Sequence, residues 1–189
     1  QAYALDSFAF GYNAKANNIN GLAATAFGRD TTANGNYSFA TGYTAAASGE
    51  ASVALNYSSA SGTGATSLGS QLVTSSGAYS LAGGYAQSAI SATNNGSLAF
   101  GRSVGYTISA TGEGSFAIGA SRDGAILASG LGSFAGGTNS TASNEFAIAF
   151  GTGTQATGAY SAAFNNSIAS NTGAFAIGTA TSSGQYSFA

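Results

Sequence analysis

Large and small side chains alternate along this chain in a short string that keeps returning. In GEGSFAIGA, residues 112–120, Phe116 and Ile118 stand between Ser115, Ala117 and Gly119. DSFAFGY, NYSFATGY, GSLAFGR and GSFAGGT repeat the arrangement elsewhere. Aligned on SFAIG, the string begins at residues 7, 24, 38, 52, 65, 80, 97, 115, 133, 147, 161, 174 and 187. Its third position is Ala in twelve of thirteen occurrences, with Ser67 the exception. The second and fourth positions carry eleven of the twelve Phe, together with Val53, Leu55, Leu68, Leu81, Leu98, Ile118, Ile148 and Ile177. A period of two with unlike faces predicts a β-strand.

The fifth position is Gly in ten of twelve cases and otherwise Asn56 or Asn165. Those two residues most readily adopt positive φ, so Gly11, Gly28, Gly42, Gly101, Gly119, Gly151 and Gly178 are expected at turns. A second element follows, reading small, Ser/Thr/Asn, Gly/Asn: ANG at 33–35, ASG at 47–49, ATG at 110–112 and ASN at 169–171. Its last residue, Gly112 among them, is expected to be a second positive-φ corner. Each unit of about 14 residues thus reads strand, turn, strand, turn. A hairpin meander has no need of identical positions at a fixed period, whereas a coil of stacked turns does. The pattern predicts an all-β parallel β-roll, or β-solenoid, of about 12 turns over 1–189 as a single domain. At roughly 4.8 Å per turn the rod is about 55–60 Å long. The large residues are expected to point into the lumen. Phenylalanines in excess of its volume favour side-by-side oligomers.

Composition removes most alternatives. Charged residues are 5% of 189, and Pro, Met, Trp, Cys and His are absent. Such a chain could stay disordered, but twelve Phe, ten Tyr and an apolar fraction of 44% leave something to bury. No apolar run approaches the roughly 20 residues of a membrane-spanning helix. The net charge of −2 comes from ten scattered side chains without a basic run, so nucleic acid is not an expected partner. Without His or Cys, an ordinary catalytic base, thiol nucleophile or soft-metal site is not expected, and no cofactor is. The G-x-G strings at 62–64, 112–114, 130–132 and 151–153 belong to the repeat rather than to a phosphate cradle. The start at Gln1, without a signal-peptide pattern, suggests a processed or excised segment.

Two irregularities stand out. The second-strand Ala16 lies ten residues before Ala26, where seven is usual. On the other side of the repeat, three successive turns carry extra residues, giving enlarged corners at 83–91, 100–109 and 118–127. These hold YAQSAIS, RSVGYTIS and SRDGAIL, whose aliphatic Ile90, Ile108, Ile126 and Leu127 suit a locally wider lumen. The alternative is a recognition ridge at Arg102, Tyr106, Arg122, Asp123 and Ile126, since insertions in repeat proteins often map to a binding face. Tyr37, Tyr79, Tyr160 and Tyr186 each precede a first-position residue, and packing against the corner is the favoured reading.

The double motif S-x-A-x-G followed by A-x-A-x-G resembles the head repeats of YadA-like trimeric autotransporter adhesins. GNYSFATGYTAAASGEASVALNYSSASG (35–62) is similar to two such repeats almost position for position. The resemblance implies a left-handed roll, three chains about a common axis, and display on the surface of a Gram-negative bacterium. It implies attachment to host matrix proteins, cells or surfaces, and no catalysis. The family's neck, coiled-coil stalk and membrane-anchoring barrel have no counterpart in these residues. The second reading is therefore a self-assembling extracellular filament or sheath subunit, polymerising through unpaired strand edges. An ice-binding face would need a regular Thr array, and the Thr residues are scattered.

Overall fold

The computed structural model describes residues 1–2, 5–17 and 22–189. The lengthened stretch between Ala16 and Ala26 falls largely on 18–21, outside the described residues. Among those described there are two parallel sheets of twelve strands each. The odd-numbered strands form the first sheet and the even-numbered strands the second, so every turn contributes one strand to each. Twelve stacked strands make about eleven turns, slightly fewer than the repeat count suggests.

Stacking is in register. Ala99, Ala117, Ala135, Ala149, Ala163 and Ala176 pair in succession down the first sheet. Ala110, Ala128, Ala142 and Ala156 do the same in the second. Every residue therefore meets its own equivalent one turn away, and the repeat in the sequence is this contact rule written out.

The orientation of the strands corrects one expectation. The lumen is lined by the small residues, and the large ones face outward. Ala117 has no exposed surface, while Ile118 beside it is 37% exposed. Of the buried hydrophobic residues, all are Ala except Val73, Ile90, Ile108 and Ile126. The reason is geometric. Four inward positions per turn, two from each strand, leave room only for Ala, Ser or Thr when a turn has about 14 residues. Phe at the alternate positions has nowhere to go but out.

The two corners differ in mechanism. At the fifth position φ is positive throughout, from 78° at Gly178 to 146° at Gly101, with Asn56 at 61° and Asn165 at 55°. Gly119, at 143°, is held twice over, because a Cβ there would run into the carbonyl oxygen of Gly137. The second corner departs from expectation. Gly112 is not at positive φ; it is Gly because a Cβ would collide with the carbonyl oxygen of Gly130 on the next turn. Positive φ falls two residues later, at Ala51 (52°), Tyr79 (55°), Gly114 (60°) and Tyr160 (55°), the third place of a tight turn. The turn is closed by the backbone N–H of Ser115 donating to the Gly112 carbonyl at 3.1 Å, and by the Ser115 hydroxyl donating to the same oxygen at 2.7 Å. Where Asn replaces Gly, its amide continues the ladder: Asn144 Nδ2 donates to the carbonyl of Thr157 at 3.2 Å.

Candidate functional site

The three long turns change the cross-section. Their first-sheet strands β11 (Leu81–Ala86), β13 (Leu98–Ser103) and β15 (Phe116–Ser121) run six residues instead of the usual three to five. The extension brings Ala86, Ser103 and Ser121 into register as an added buried layer. Facing them, Ile90, Ile108 and Ile126 stack in the second sheet without any exposed surface. Three extra residues per turn thus widen the lumen, and a branched aliphatic side chain fills what Ala or Ser could not. Ser103 and Ser121 both donate their hydroxyls to the carbonyl of Tyr106, at 2.7 and 2.6 Å, which fixes the backbone of that corner.

This placement divides the residues proposed as a ridge. Ile126 is interior, so it cannot meet a ligand, and it belongs to the lumen. Arg102, Tyr106, Arg122 and Asp123 are exposed on the corner. Arg102 and Arg122 line one hollow of about 280 Å³ with Val104 and Ala120. Among the described residues neither has an ion pair or a ring partner. Arg29, by contrast, is engaged by Asp30 at 3.4 Å and by the rings of Tyr12 and Tyr43.

The sequence pattern concealed a longer feature. The residue after the fifth position forms a column down the first corner: Tyr12, Arg29, Tyr43, Tyr57, Ser70, Tyr85, Arg102 and Ala120. Register pairs Arg29 with Tyr43, and Tyr85 with Arg102 and Arg102 with Ala120. Tyr43 and Tyr57 rings lie 4.8 Å apart. Ser70 interrupts the aromatic run and leaves a notch of about 440 Å³ lined by Tyr57, Gln71, Leu72, Tyr85 and Gln87. Aligning the sixth position as the third and fifth were aligned would have found it.

The tyrosines of the second corner sit at positive φ and are well exposed, Tyr79 at 75%. Tyr79, Tyr160 and Tyr186 each contact the corner of a neighbouring turn. The Tyr79 ring occupies the space a Cβ on Gly64 would take, and Tyr186 does the same at Gly173. Phe146 and Tyr160 stack at 5.6 Å. The Tyr160 hydroxyl bonds Glu145 Oε1 at 3.3 Å, and the carboxylate's charge raises the phenol above the ordinary tyrosine value. Packing and exposure coexist here.

No group of three or more His, Cys, Asp or Glu among the described residues could hold a metal. The architecture presents surfaces, and its register leaves one decisive comparison. The YadA head domain repeat model matches residues 2–24, 20–45, 128–154 and 142–164. Residues 2–45 and 128–164 carry YadA head repeats. The matched segments flank residues 46–127, where the same strand register continues through 69 before the turns lengthen. No curated protein matches the chain in sequence.

Proposed function

We propose that the chain is the head of a trimeric surface adhesin, non-catalytic, that attaches a bacterium to host matrix, cells or surfaces. In this reading three left-handed rolls pack side by side, and the head is displayed outside the cell. The observation that carries it is the outer face of the first sheet. Two columns of large apolar residues run there with little cover: Phe8, Phe10, Phe27, Phe39, Ile148 and Phe150 are each at least 40% exposed. Phe10 stacks on Phe27 at 5.4 Å, and Phe116 on Phe134 at 5.2 Å, as apolar stretches of those columns. A surface of that size and regularity is what a partner of the same repeat would cover. The enlarged corners at 83–91, 100–109 and 118–127, with Arg102, Tyr106, Arg122 and Asp123, are the proposed contact ridge.

Light scattering on the purified chain tests the assembly, with a trimer expected. Fibres in electron micrographs would instead favour the filament subunit. Attachment of cells displaying the head tests the adhesin itself. Trimming the three long turns to about 14 residues at these corners, with Ile90, Ile108 and Ile126 replaced by Ser, should abolish it if the ridge makes the contact.

A further inference from the structure

Charge on this molecule is sorted by corner. Three of the four cations, Arg29, Arg102 and Arg122, lie on the first corner. Four of the six acids, Asp6, Glu50, Glu113 and Glu145, lie on the second. The other two acids, Asp30 and Asp123, share the first corner, so its three cations and two acids leave it at +1 against −4 on the second. The first corner also carries the tyrosine column, and Arg102 and Arg122 line one hollow there, neither held in an ion pair, with Asp123 beside Arg122.

We propose that the first corner from Tyr57 to Arg122 binds an acidic polysaccharide. The notch between Tyr57 and Tyr85 takes a sugar ring, and the Arg102–Arg122 hollow takes its carboxylate or sulfate. Four features fit that occupant. The Tyr57 and Tyr85 positions are two turns apart, about 10 Å along the rod, which leaves room for a saccharide ring between them. Aromatic faces pack against sugar C–H groups, while the amides of Gln71 and Gln87 supply donors and acceptors for hydroxyls. Gln87 Nε2 already donates to the Tyr85 hydroxyl at 3.1 Å, so that amide is oriented beside the ring. Two guanidiniums at one hollow recognise a planar or tetrahedral oxyanion by paired hydrogen bonds. Tyr85 and Arg102 are register partners, so ring and charge subsites adjoin as they do along an acidic glycan. The proposal deepens the adhesin reading by naming the ligand class of its ridge, and rests on that reading for its setting.

The test is titration of the full chain with a short heparin fragment, a polygalacturonate oligomer and a neutral maltooligosaccharide. Tyrosine fluorescence is the readout, unobscured because the chain has no Trp. The two acidic sugars should bind and the neutral one should not, with affinity falling as salt rises. The heparin and polygalacturonate arms separate sulfate from carboxylate recognition. Arg102→Ala/Arg122→Ala should weaken binding about tenfold or more, and Tyr85→Ala about threefold or more, both with unchanged circular dichroism. Equal binding of the neutral sugar, an undiminished double variant, or equally tight single-stranded DNA would each overturn the proposal. A trimer that attaches to protein matrix yet ignores acidic sugars removes this ligand alone. A chain that binds them without trimerising removes the assembly and leaves the ligand.

Discussion

Ile108 pairs in register with Ile126, and neither side chain has any surface exposed to solvent. With Ile90 and then Val73 on the other side, they form an aliphatic spine, where every other buried hydrophobic residue among those described is alanine.

Ile108→Ala removes the middle of that spine without a side chain able to collapse into the space. The expected loss is about 2–5 kcal/mol, read by chemical denaturation. The reverse change at an alanine level, Ala149→Ile, should cost about 1–3 kcal/mol or more through overpacking.

Gly119→Ala should fail to fold, because φ of 143° and the carbonyl of Gly137 both exclude a Cβ. Gly114→Tyr should fold with a loss of no more than about 1–2 kcal/mol, since its φ of 60° is one that Tyr160 adopts and nothing lies within 4 Å. Expression as soluble protein and thermal melts separate the two glycines.

Phe150→Asp places a charge on the outer face, where the native ring is 49% exposed. Circular dichroism of the fold should be retained while light scattering reports a smaller assembly. A trimer that survives the change would place the subunit seam elsewhere.

Tyr160 should ionise above the ordinary tyrosine value. Its phenolate would stand beside the Glu145 carboxylate, and like charges oppose deprotonation, so the pKa is raised. Tyrosine ring resonances followed against pH check this, and Glu145→Gln should move Tyr160 back towards the ordinary value of 10.0.

The roll was legible because stacked turns force equivalent residues to agree, and that constraint acts on every position at once. What the pattern hid were choices that do not alter periodicity. Alternation is the same whichever face is inward, so the Ala-lined lumen needed the two strands of a turn placed against each other. At the second corner, the recurring Gly marks a close approach between turns, while the positive-φ place holds Tyr, Ala, Phe or Gly indifferently. The aromatic at Tyr79 is tolerated because Gly64 beneath it leaves room for the ring. The ridge residues Arg102 and Arg122 were visible as an irregularity, but Ile126 read as part of the same cluster because spacing alone cannot tell a widened interior from an exposed loop. The tyrosine column was missed because it lies one position beyond the strongest repeat.

The in-register stacking of Ala135, Ala149, Ala163 and Ala176 has a consequence for how such a molecule changes over generations. A turn hands to the next the same surface that it received, so copying or deleting one whole turn leaves every remaining contact intact. Length is therefore free to drift in steps of about 5 Å without compensating substitutions. The turns from Val73 to Ala128 are the exception, because an aliphatic spine cannot be spliced onto an alanine level. That segment is the part of the rod whose size is fixed, and whatever reach the molecule gains or loses must come from either side of it.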